Sequence, residues 1–153
     1  MVVKFVKHST QLSFEQNGPN KETLSLNKYW NLYVSSCFFY TFSGLVRFYQ
    51  GSKIDGINLI IQSFLSYKSD VSTIGLKSHW HLLDRYFAII ISIYHFYSLK
   101  TYKTFIINFI LFLIGFHLLK KSIKLYEDEN EQFLIEHIKW HCVAPLMALT
   151  SNF

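Results

Sequence analysis

The chain has 153 residues, of which 50% are hydrophobic, 18% aromatic and 16% charged, with a formal net charge of +5. That length fits one domain. The positive charge includes no arginine cluster, zinc-finger spacing or basic amphipathic run, which excludes a nucleic-acid reader.

The mean hydropathy is only +0.18, because apolar residues come in blocks and polar residues collect between them. Lysines that flank such blocks suit anionic lipid headgroups, where each is worth about 1 kcal/mol. Membrane lipids are therefore the expected partners. Cys37 and Cys142 both fall inside apolar runs, and buried free thiols are expected there, with no disulfide scaffold.

Residues 1–27 are polar, carry Asn17-Gly18-Pro19, and read as an N-terminal tail, mobile or laid on the surface. The first ten residues lack the apolar core of a signal peptide, so membrane entry would use a retained helix. From Tyr29 to Tyr49 the chain offers about the 20 residues that cross a hydrocarbon core of roughly 30 Å, with Trp30 and Tyr49 placed as interfacial aromatics. A shorter segment, Ile54 to Tyr67, spans only if its polar ends are shielded. A third helix is expected from about His81 to Leu99, and a fourth from about Thr104 to Leu119. The fourth is the clearest membrane candidate, and Lys120, Lys121 and Lys124 end it. Glu127, Asp128, Glu129, Asn130 and Glu131 then form a solvated linker, and a fifth helix takes in Gln132 to about Leu149, with Pro145 kinking it or ending it early.

The expected fold is therefore all-α, a multi-pass transmembrane bundle of about five helices over residues 28–153. Lysine asymmetry between the two faces places the N-terminus in the cytosol.

In that topology the second helix ends, and the third and fifth begin, at one membrane face. Ser63, Ser66, Lys68, Asp70, His81, Asp84, His137 and His141 can then converge there. A carboxylate such as Asp84 inside an apolar helix costs about 2.5 to 3.5 kcal/mol at the helix centre unless it is partnered. It orients a ligand or an attacking water, or it forms a structural pair with Arg85, Lys68 or His81. His137 and His141, at i and i+4, project from one helical face and can close on one zinc ion, with His81 as the best third donor. Ser63 and Ser66 are the candidate hydroxyls, although serines in membrane helices by default bond back to their own backbone. His95 and His117 read as packing residues. No Gly-x-Ser-x-Gly elbow, P-loop or dinucleotide fingerprint is present.

These residues resemble the superfamily of membrane hydrolases and receptors that includes the alkaline ceramidases and the progestin and adipoQ receptors. Its members carry Ser then His near the end of the second helix, Asp in the third and His-x-x-x-His in the last, and their histidines hold zinc. Ser63 or Ser66 matches the serine, Asp84 in Leu-Leu-Asp-Arg-Tyr-Phe-Ala looks like the aspartate, and His137-Ile-Lys-Trp-His141 is similar to the final pair. Lys68 stands about where the first zinc-binding histidine is expected, and it would pair with Asp84 or Asp70 in place of the metal. The resemblance implies hydrolysis of a lipid amide or ester, or a non-catalytic relative of enzymes that do this. A membrane scaffold with purely structural polar residues and a soluble helical domain stay open beside it.

Overall fold

The computed structural model describes residues 18–150, and all regular structure within them is helical. In chain order come α1 (Lys21–Ser25), α2 (Trp30–Ser36), α3 (Phe39–Tyr49) and α4 (Lys53–Tyr67), which runs on into a π-helical turn at Lys68–Ser72. Then follow α5 (His79–Ser98), α6 (Tyr102–Glu127) and α7 (Phe133–Thr150). Helix α6 is long and apolar enough to cross a membrane, and most of its apolar window is unburied; it contains the segment that the sequence marks as the clearest span.

Local chemistry sets the helix ends. The Asn20 side chain accepts from the Thr23 N–H at 2.9 Å to start α1, and Ser78 caps α5 at Trp80. Thr101 and Thr104 form a reciprocal capping box at the start of α6.

The structure departs from the sequence reading in several places. The run from Tyr29 to Tyr49 is two helices, broken at Cys37 and Phe38. The Ser63 hydroxyl donates to the freed Cys37 carbonyl at 2.8 Å, so the interruption leaves that acceptor satisfied inside the protein. Residues 18–27, read as part of the tail, pack against the bundle: Leu24 is buried, and the Tyr126 hydroxyl donates to the Pro19 carbonyl. The rest of the expected tail, 1–17, lies outside the described residues. Pro145 sits inside α7 without ending it. Trp30 is buried and stacks on Tyr33 instead of facing an interface. Cys142 is exposed, whereas Cys37 is fully buried.

Helix α7 is the central element, packing on α2, α3 and most extensively on α6, while α3 and α4 form a tight hairpin. Gly44 and Gly56 make that hairpin possible. A Cβ built on either would lie 2.8 Å from the other's carbonyl oxygen, closer than real contacts allow. Gly56→Val is therefore expected to force the pair apart at a cost of about 1–3 kcal/mol. Thermal unfolding in detergent checks this, and an unchanged midpoint would show that the two backbones are not in contact.

Helix α5 packs on α4 and the π-turn but makes few contacts with α6, although only residues 99–101 join the two. Phe96 meets Phe105 and Phe112 near the joined end, and beyond it the helices leave a groove. At the bundle end that holds the π-turn, an apolar cluster that includes Leu24, Trp30, Tyr33, Ile74, Tyr126, Phe133 and Leu134 closes the structure off.

Candidate functional site

The π-turn presents Asp70 to α7. A π-helical turn widens the helix by one residue per hydrogen-bonded ring, seen here as the Thr73 N–H donating to the Lys68 carbonyl, and such turns recur at functional sites. One Asp70 oxygen, Oδ2, lies 3.1 Å from His137 Nε2 and 3.4 Å from His141 Nε2. The other, Oδ1, accepts from the Ser69 hydroxyl at 2.9 Å. Burial works to raise the Asp70 carboxyl, but the His137 imidazole, joined by His141, outweighs it and holds the group well below the usual carboxylate range.

The far nitrogens of both imidazoles are fixed by serines: His137 Nδ1 by Ser122 at 3.1 Å and His141 Nδ1 by Ser36 at 2.8 Å. Ser36 has one proton, and it goes to the Tyr33 carbonyl at 2.6 Å. Ser36 thus links the Tyr33 carbonyl to the His141 ring and turns its Nε2 toward Asp70 Oδ2. The Cys37 thiol, an Asp70 oxygen and a His141 nitrogen all lie within 4.8 Å of one another, a buried group that could hold a metal ion.

A second cluster sits beside the first. Asp84 is buried, and its Oδ1 accepts from Gln62 Nε2 at 2.6 Å and from the Ser66 hydroxyl at 2.9 Å. Neutral donors thus meet the carboxylate, where the sequence reading offered Arg85, Lys68 or His81. The amide of Gln62 is only half satisfied. Its Oε1 is buried and has no hydrogen-bond partner among the described residues.

Asp84, Gln62 and Ser66 form the polar part of the α5–α6 groove, whose volume is about 490 Å³. Its remaining walls are mainly apolar, with Ala88 and Phe96 of α5 facing Phe105, Phe112 and Phe116 of α6, and Trp140 of α7 behind them. That size falls in the range of small-molecule sites, which pair an apolar lining with a few placed polar groups.

The structure thus gathers Ser66 with Asp84, and Asp70 with His137 and His141. It separates the rest. Lys68 does not join Asp70 or Asp84: its ammonium lies 5.9 Å from the Phe64 and Trp80 ring centroids, because two residues along a helix point away from the face that Ser66 and Asp70 share. His81 does not reach the metal-capable group. Its Nε2 donates to the Leu76 carbonyl and its Nδ1 meets Ser69, so only a hydroxyl links it to Asp70. Ser63 donates to the Cys37 carbonyl and accepts from Thr41, a backbone-bracing role. His95 donates to the Met147 carbonyl, tying α5 to α7.

Sequence reasoning missed Cys37 and Gln62 and misjudged Asp70. For Asp70 and Gln62 a signal existed, since each lies four residues from Ser66, on its helical face. For Cys37 none did. Compared with known protein families, curated proteins and solved structures, the chain matches none.

Proposed function

We propose that the chain is a multi-pass membrane protein that holds a single-chain lipid in the α5–α6 groove, a non-catalytic relative of the zinc-dependent lipid amide hydrolases it resembles. The observation that carries this reading is Gln62 Oε1. A buried acceptor left without a donor costs about 1–3 kcal/mol, and a lipid amide N–H or hydroxyl lying along the groove would supply the missing bond while its chain covered the phenylalanines.

Burial supports the membrane setting. Ser, Asp, His, Asn and Arg side chains fill much of the interior, while Phe42, Leu45, Ile57, Ile61, Ile90, Ile93, Ile110 and Leu113 face outward. Lysine asymmetry then sets the N-terminus in the cytosol. Asp70, one turn beyond Ser66, meets His137 and His141, and Ser66 meets Asp84, so residues that carry the resemblance lie together. Among the described residues, those that line the groove include Asp84 and Ser66 but not Cys37, Asp70, His137 or His141. The metal-capable group is thus set apart from the lipid's path, which favours binding over hydrolysis.

The test is photolabelling of the protein in lipid nanodiscs with an N-acyl ethanolamine that carries a diazirine on its chain. Labels are expected on α5 and α6. Ala88→Trp, which fills the groove, should cut labelling at least tenfold, equivalent to about 1.4 kcal/mol, and Gln62→Leu should cut it about fivefold, the worth of one hydrogen bond of about 1 kcal/mol. Labels confined to the outward residues Ile106 and Ile110, and indifferent to Ala88→Trp, would refute lipid capture. Release of free fatty acid from the probe would refute the non-catalytic assignment.

A further inference from the structure

We infer that the α5–α6 groove is built for a single-chain lipid whose head ends in a phosphate monoester, held at the mouth by Arg85 and Lys120. The inference rests on the lipid reading of the groove and adds the chemistry of the head.

Placement carries it. Arg85, Ile89, Ser92 and Phe96 all line the groove, and their spacing of four, three and four residues puts them on one face of α5. A charged side chain thus ends a mainly apolar stripe. The Arg85 guanidinium is half-buried and has no hydrogen bond or ion pair among the described residues. Asp84, one residue earlier, is turned about 100° away from it, toward α4, where Gln62 and Ser66 hold Oδ1. Across the groove, α6 contributes Leu119 and Ile123 to the wall, and Lys120 lies between them in sequence. Lys120 and, one turn on, Lys124 are exposed and form no ion pair among the described residues, whereas Lys121, on the far side of α6, pairs with Glu136. Cations without partners therefore border the mouth from both helices. A charge beside an apolar wall calls for a counter-charge, and the head of the lipid supplies it.

Length fits one acyl chain. The stretch of α5 from Arg85 to Phe96 is about 17 Å long, close to half of a hydrocarbon core of roughly 30 Å. A head at Arg85 therefore places its tail among Phe96, Phe105 and Phe112, one leaflet deep.

Charge selects the head. A phosphate monoester carries about −1.5 to −2 charges at neutral pH and three acceptor oxygens, which suits several cations better than the single charge of a carboxylate does. The planar fork of Arg85 matches two of those oxygens, and Lys120 adds a point charge. Gln62 is bonded to the residue next to Arg85, so its open Oε1 lies a short spacer from the phosphate, as the amide N–H of an N-acyl ethanolamine phosphate does.

Competition against the diazirine-tagged N-acyl ethanolamine tests this, in nanodiscs of zwitterionic phosphatidylcholine. Three untagged competitors of one chain length are compared: N-acyl ethanolamine, its O-phosphate and N-acyl glycine. The phosphate is expected to displace the probe at about tenfold lower concentration than the ethanolamide, the worth of one charge-assisted hydrogen bond, and ahead of the glycine. Arg85→Gln should bring phosphate and ethanolamide within about twofold of each other, and Lys120→Gln should narrow the gap in part. Each reading is a ratio within one variant, so a variant that binds every lipid less well still reports on the head. Parent protein that takes phosphate and ethanolamide equally would overturn the inference and leave lipid capture standing. Glycine that competes as well as the phosphate would overturn the phosphate assignment, and a preference that survives both substitutions would overturn the roles of Arg85 and Lys120. If the probe itself never labels α5 and α6, the lipid reading fails, and this inference falls with it.

Discussion

Replacing Asp70 with leucine is expected to lower the melting temperature by about 10 °C, the largest effect of any single substitution in the chain. The carboxylate is the common partner of His137, His141 and Ser69. Removing one member of a buried charged or hydrogen-bonded set costs about 3–5 kcal/mol, since the others are left without compensation. For a chain of this size each kcal/mol moves the midpoint by about 2–4 °C. Asp70→Asn keeps the shape and one acceptor oxygen, so it should lose less stability than Asp70→Leu and still fold. Thermal unfolding of both variants in detergent decides the matter. If Asp70→Leu melts with the parent, apolar contacts alone hold the π-turn against α7, and the carboxylate is incidental.

The second large effect is expected at the opposite end of α3. Arg47 is buried, and its guanidinium pairs with Asp55 at the start of α4 and bonds to Gln50. Arg47→Met strands a carboxylate among apolar helices and should cost about 3–5 kcal/mol. Adding Asp55→Leu removes the stranded charge, so the double variant should recover most of that loss, because two apolar residues need no partner. A double-mutant cycle measured by unfolding in mixed micelles supplies the coupling energy. A double variant no more stable than Arg47→Met would show that the pair contributes by packing and not by mutual charge.

The two ends of the bundle differed in how far the chain itself revealed them. Apolar blocks about 15 to 20 residues long already located α5 and α7 and the start of α6, because burying or lipid-facing a helix requires a continuous apolar stretch. Helix α6, however, runs on through Lys120, Lys121 and Lys124, the residues expected to end it, to Glu127. His137 and His141 could be paired from spacing alone, since four residues return to one helical face. Lys68 and Asp70 could not be ranked so easily. Both lie just after Ser66, and the choice between them depends on whether the helix continues there and how widely it is wound. The break at Cys37 gave no warning either, for no proline or glycine marks it; it rests on a hydroxyl from Ser63, 26 residues away.

The sequence by itself determined that the chain is helical and where its polar side chains interrupt apolar segments, because helical period and block length are local properties. Only the tertiary structure decided which of those side chains meet. Asp84 found Gln62 and Ser66 instead of a cation, Asp70 displaced Lys68 and His81 as the partner of the paired imidazoles, and α5 parted from α6 to leave a groove. Such meetings are set by how helices cross and where a turn is widened by a single residue. Those are balances among distant contacts, and no stretch of sequence contains them.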